Sequence, residues 1–151
     1  MNESLSKDLA VLYEEDVTNF INNLKEIPED KLWDKPNSIP NSAGILAQHI
    51  AGNLNYYIGA VLGETEYKRN REAEFTISHK SKKELIDDLE NVIEVIRLVL
   101  PGLSEEQLNA PFPANNSKSR TTRKALLFFY RHLNYHLGQL NYLKRLLNNH
   151  V

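Results

Sequence analysis

Apolar residues return along most of this chain at three- and four-residue intervals, the period of a helix with one buried face. From about Ser4 to Ile27, Leu5, Leu9, Leu12, Phe20 and Leu24 mark one stripe, and Pro28 helps to end it. The following "PEDKLWDKP" predicts a short turn around Trp33. From about Ser42 to Leu62, Leu46, Ile50, Leu54, Tyr57 and Val61 line a second inner face, with Gly63 expected as its C-terminal cap. A third helix starts at Ser81, where "SKKE" reads as a capping box in which Glu84 reaches back. Leu85, Leu89, Ile93, Ile96 and Leu100 follow, and the Pro101–Gly102 pair stops it. The fourth begins at Thr121 or Thr122 and continues to about Asn148, through Leu126, Phe129, Leu133, Leu137, Leu140 and Leu147.

Two longer connections, "GETEYKRNREAEFTISHK" and "LSEEQLNAPFPANNSKSR", separate these helices, and the prolines and asparagines of the second mark irregular backbone. Four amphipathic stripes bury one another most simply as a four-helix bundle. The expected fold is therefore all-α, one domain over residues 1–151, with two long inter-helix loops that do not impose up-down-up-down order.

Composition narrows the function classes. A chain of 151 residues, 41% hydrophobic and 25% charged, suits one soluble domain with one core. The formal net charge of −2 argues against a dedicated nucleic-acid binder, which carries a basic excess. There is no cysteine, hence no disulfide framework, no thiolate metal site and no sulfur nucleophile of the chain's own. The N-terminus mixes charges among its apolar residues, unlike a signal peptide, and the longest apolar run, "ALLFFY", is too short to span a bilayer. The cytoplasm is the expected location, with no membrane partner.

The candidate chemistry lies in "YRHLNYHLGQLNYL". Histidines four apart on a helix lie on one face with Cβ atoms ~5–6 Å apart, close enough to share an ion bound at ~2 Å. At about 100° per residue, His136 falls within the Leu133–Leu140 stripe and His132 at its edge. A single inward histidine is ordinarily a core-edge residue hydrogen-bonded to a neighbour. A third candidate changes that balance: His49 in "NSAGILAQHIAGNLNYY" flanks the inner face of the second helix, with Asn53 one turn on. Packing does not require three inward histidines on two helices. Three neutral ligands match a catalytic metal site with an open position, at which the ion's full charge would acidify a water or thiol. His79, beside lysines in a loop, and His150, near the terminus, are weaker candidates.

Other motifs are missing. The pair reads "HLNYH" rather than H-E-x-x-H, and no Glu-x-x-His pair suggests a di-iron centre. No nucleophile elbow, P-loop or dinucleotide fingerprint is present. The basic "SKSRTTRK" could attract an anion, but it reads first as a solvated loop.

Together, His49 in "LAQHIAGNL" and the H-x-x-x-H-x-G-Q pattern of "HLNYHLGQ", His132 through Gln139, resemble the DinB-like (YfiT-like) superfamily over nearly the whole chain. The loop "GETEYKRNREAEF" also looks like one subgroup of that family. The resemblance implies a four-helix bundle of DinB/YfiT-like type, often dimeric. It implies a divalent metal, zinc or nickel, held by His49, His132 and His136. Relatives in that superfamily include bacillithiol transferases and a mycothiol-dependent maleylpyruvate isomerase, and many have no established activity. A small-molecule thiol and an electrophile are thus the implied partners, alongside a second copy of the chain. A chain without cysteine fits, because coordination itself would deprotonate an external thiol.

Three readings stay open: a thiol S-transferase, a hydrolase acting through bound water, and a non-catalytic bundle that binds metal or ligand or only dimerises. In the hydrolase, Glu64, Glu66, Glu72 or Glu74 is the candidate base. Arg69 and Arg71 are candidates to clamp a substrate carboxylate. Alternatively, they pin the loop by ion pairs with Glu74 while Phe75 packs beneath. Gln139 either orients a ligand or satisfies a neighbouring helix. Tyr56, Tyr130 and Tyr135 read as packing or dimer-contact residues, and the outward Tyr135 and Tyr142 favour a homodimer.

Overall fold

The computed structural model describes residues 4–114 and 120–148. Among them the structure is helical, without strands; an isolated bridge joins Pro111 to Thr121. Six α-helices follow one another: α1 (Leu5–Lys25), α2 (Ala43–Leu54), α3 (Arg71–Thr76), α4 (Lys82–Val99), α5 (Glu105–Asn109) and α6 (Thr122–Asn148). Among the described residues no helix is long and apolar enough to cross a membrane. The expected start near Ser117 of the basic loop and the candidate His150 lie outside the described residues.

The helix starts follow side-chain chemistry. Ser4, Ser42 and Ser81 each cap a helix by accepting from a backbone N–H, and Ser81 and Glu84 complete the expected capping box. The two connections hold short helices that the apolar periodicity does not announce, since neither is long enough to show a stripe. Asn70 caps α3 by accepting from the Ala73 N–H, and Ser104 with Gln107 forms a second capping box at the start of α5.

Both α1 and α2 pack on α4 and on α6, so these four helices enclose one core. The inner face of α1 is Leu9, Tyr13, Val17, Phe20 and Leu24, spaced four, four, three and four. Leu12, expected on that face, is 40% exposed, because Tyr13 occupies the inward position next to it and donates its hydroxyl to the Leu126 carbonyl. The core wraps α2 completely: every residue from Ala43 to Leu54 is buried, including Gln48, His49 and Asn53. A helix buried all round is normally apolar all round, so these polar side chains need partners.

Beyond Leu54 the helix widens into a π-helical segment, Asn55–Leu62. The wider turn shifts the phase of the inner face, which leaves Tyr57 and Val61 half-buried instead of fully inward. Tyr57 stacks on Phe129 of α6, with centroids 4.2 Å apart. Gly63 ends the segment with φ −94°, so the left-handed residue is not the glycine but Glu64, at φ 54°. Glycine at 63 serves another purpose, close packing: a Cβ there would lie 2.5 Å from Val99 Cγ2 of α4, which would have to shift.

Candidate metal centre

The three histidines meet. α6 carries His132 and His136 one turn apart, and α2 brings His49 against them. The His132 Nε2 atom lies 3.1 Å from His49 Nε2 and 3.0 Å from His136 Nε2. The rings stand nearly perpendicular, at interplanar angles of 84° to 89°. His49 and His136 are buried and His132 is half-buried, the edge position read from the helical phase.

The outward nitrogens of two rings are already committed. His49 Nδ1 lies 3.0 Å from Glu74 Oε1, and His136 Nδ1 lies 2.7 Å from Gln139 Oε1. Each oxygen accepts, so each Nδ1 holds the proton and each Nε2 of the neutral ring presents a lone pair to the cluster. His132 cannot satisfy the arrangement alone. If its Nε2 carries a proton, that proton serves one neighbour, and its buried Nδ1, which has no partner, is left an unmet acceptor. If Nδ1 carries the proton, three lone pairs face one another. Hydrogen bonding therefore does not close at this cluster.

A cation closes it. Three nitrogens at ~2.0–2.1 Å from one ion sit roughly 3.3 Å apart in a tetrahedral arrangement, within a few tenths of an ångström of the His132–His49 and His132–His136 separations. The three ring nitrogens all lie within 4.8 Å of one another. Three imidazole donors suit a metal ion. Burial, reinforced by the positive fields of His136, His49, Arg69 and Arg71, pushes His132 down to about 4. Burial also lowers His136, against a partial opposing effect of Gln139. His132 and His136 are thus neutral, ligand-ready bases at neutral pH.

Glu74 is the pivot of the surrounding shell. Arg69 donates from Nε to Oε2 and from Nη2 to Oε1, both at 2.8 Å. Burial pushes the Glu74 carboxyl up, but the Arg69 and His49 hydrogen bonds outweigh it and leave it below the usual range. Gln48 Nε2 donates to the carbonyls of Glu74 and Ile77, at 3.0 and 2.9 Å, and so ties α3 to α2. Gly52 makes room: a Cβ at that position would come within 2.1 Å of Glu74 Oε2. Phe75 packs on the His49 ring at 4.9 Å, and the Arg71 guanidinium lies 5.3 Å above Phe75.

The structure thus brings Arg69 and Glu74 together as an ion pair and places Phe75 beneath Arg71. Arg69 spends two donors on Glu74. Glu74 holds the Nδ1 side of His49, away from the converging nitrogens. Gln139 holds His136 in the same way. Glu64, Glu66 and Glu72 are exposed, as is His79. Tyr135 and Tyr142 face outward, 66% and 72% exposed. Sequence reasoning did not single out Gln48 and Gly52. Their signal is present, as an amide beside a ligand histidine and a glycine in mid-helix, which marks close backbone approach.

A family model described as "Protein of unknown function (DUF1572)" covers residues 10–151. The chain belongs to the DUF1572 family. No curated protein and no solved structure matches it. The DUF1572 match begins within α1 and covers α2, α3 and α6, the elements that build the cluster.

Proposed function

We propose that this DUF1572 protein is a divalent-metal-binding four-helix bundle of the DinB-like type. We propose further that it is a transferase that joins a low-molecular-weight thiol to an electrophile. One observation carries the reading: three imidazole Nε2 atoms converge, with two of the rings held at Nδ1 by Glu74 and Gln139. His49, His132 and His136 would hold the ion. When bound, the ion supplies a Lewis acid that lowers the pKa of a thiol or water beside it.

The chain's own residues do the rest. Glu74 fixes the tautomer and tilt of His49, and Arg69 neutralises and immobilises Glu74. Gln139 does the same for His136. Thiol transfer needs no protein base: the thiol proton passes to solvent, a carbon–sulfur bond forms, and the leaving group departs with its electron pair. This suits a site where the nearest carboxylate, Glu74, is paired with Arg69 and bonded to the back of His49. A hydrolase would have to recruit a base from elsewhere, and Glu64, Glu66 and Glu72 are exposed. The protein is expected to be cytoplasmic and a homodimer, with the outer aromatic face of α6 as the contact.

The test uses tag-free protein loaded with zinc or nickel and offered a panel of thiols with a chromogenic aryl halide. Thiol consumption that needs the ion and disappears in His136→Ala supports the reading. Full activity in metal-free His136→Ala would contradict it.

A further inference from the structure

A cavity of about 260 Å³ lies between α2, α3 and the segment that leads into α4. Its α2 side is Gln48, Ala51, Gly52 and Asn55, one face of the helix, turned roughly 100° from His49. Glu74 stands between the two places: it lines the cavity and bonds the back of the His49 ring. The cavity is just smaller than the ~300–1,000 Å³ of sites for drug-sized ligands, so it suits one ring or a short chain.

Uncommitted hydrogen-bond donors gather around it. Asn55 is 6% exposed; its Oδ1 accepts from Asn91 at 3.3 Å, and its Nδ2 donates to none of the described residues. Unlike the sealed Asn53 Oδ1, that Nδ2 keeps accessible surface. Asn70 uses its Oδ1 to cap α3, which leaves its Nδ2. The Tyr67 hydroxyl bonds to none of the described residues, and burial, with the Glu74 charge next, pushes its pKa up, so it keeps its proton. The charges do not cancel. Glu74 pairs with Arg69, and Asp88 pairs with Lys80 at 2.6 Å. Lys68 pairs with no carboxylate among the described residues, which leaves one positive charge in excess. Ala51, Ala73 and Ile77 add an apolar wall.

Spare donors, an unspent cation and an apolar wall together match an anion with an organic body. We propose that this cavity binds a small organic carboxylate, with Asn55 Nδ2 and Lys68 Nζ as donors to its oxygens and Ala51, Ala73 and Ile77 against its carbon body. The site is separate from the three imidazoles, goes beyond the thiol reading and does not rest on it.

The probes are benzoate and benzamide, alike in size, one charged and one not. Each is titrated by calorimetry into wild-type protein, metal-free and zinc-loaded, and the Asn55 side-chain amide is followed in nitrogen–proton correlation spectra. Benzoate should bind with a Kd near or below ~1 mM, the scale for so small a ligand. It should bind alike with and without zinc and move the Asn55 signal. Benzamide, with no charge to offer Lys68, should bind about tenfold more weakly. Lys68→Gln should bring benzoate down to about the level of benzamide. Asn55→Asp keeps the acceptor for Asn91 but sets a carboxylate in place of the donor, and should lose benzoate binding. Ala73→Leu, which fills the cavity from a half-buried position, should weaken both probes and is a second block should the buried charge unfold Asn55→Asp. No heat and no Asn55 shift at about 10 mM benzoate, ten times that Kd, would overturn the proposal. So would binding that needs zinc, which would put the carboxylate on the ion. Equal affinity for the two probes, or benzoate affinity unchanged in Lys68→Gln and Ala73→Leu, would overturn it as well. Each of these outcomes leaves the thiol reading standing.

Discussion

Replacing Glu74 by glutamine separates the role of the carboxylate from that of its shape. The carboxylate receives three donors, two from Arg69 and one from His49, and its side chain is only 7% exposed. Glutamine offers one oxygen and turns an N–H toward at least one of those donors. Removing one charge of a buried pair costs about 3–5 kcal/mol, and because glutamine keeps one acceptor, the lower end is expected for folding stability. At the cluster the effect is indirect. His49 loses the acceptor that fixes its tautomer, and losses of this kind lower metal affinity by roughly 10–100-fold. Zinc affinity measured by competition with a chromophoric chelator gives the second number, and urea unfolding of metal-free protein the first. Gly52→Ala provides an independent route to the same displacement. Its Cβ would fall 2.1 Å from Glu74 Oε2, whose position Arg69 pins. Alanine favours the helix by up to ~1 kcal/mol, which offsets part of the stability loss. The two variants should therefore share a fall in zinc affinity while differing in stability. Wild-type zinc affinity in both would refute the role given to Glu74.

Three further outcomes are expected. In metal-free protein the unfolded histidines titrate near ~6.5, whereas His132 is held at about 4 and His136 is also lowered, both by burial first. Between those values the unfolded chain binds more protons, so stability is fully present above about pH 6.5 and declines as pH falls toward 4. A urea midpoint that stays flat over that window would be inconsistent with buried neutral rings. Leu133→Ala, in the core between the two histidines of α6 at 0% exposure, should lower stability by ~2–5 kcal/mol. Zinc stoichiometry in whatever fraction stays folded should not change. Sedimentation at tens of micromolar, a range suited to weak interfaces, should show a dimer that Tyr135→Asp with Tyr142→Asp dissociates. A monomeric wild type would remove the dimer.

Much of this was legible because helices repeat. The stripes of α4 and α6 and the Ser81 capping box carry strong local signals, and the phase of α6 alone put His136 inside and His132 at the edge. The short helices α3 and α5 were hidden by length, since five or six residues cannot display a period. Only their caps, Asn70 and the Ser104–Gln107 pair, betray them. The reversal of Leu12 and Tyr13 shows a different limit: both are apolar enough to face inward, and the choice falls to packing against α6 and the acceptor at Leu126. The partly outward turn of Tyr57 and Val61 depends on a π-helical widening that residue spacing does not encode. In the centre, the ligand set could be proposed from spacing. The Arg69–Glu74 pair was also among the readings of the loop, but its link to His49 could not be read, because it depends on α3 folding back onto α2 through Gln48 and over Gly52.

The most direct test is a zinc titration of tag-free wild type beside His49→Ala, His132→Ala and His136→Ala, with helical circular dichroism as a control for folding. One zinc per chain is expected at micromolar free metal or below, weakened in each variant while the helical signal persists. Folded wild type that takes up no zinc, nickel or manganese, or three variants that bind as tightly as wild type, would show that the three imidazoles do not form a metal centre.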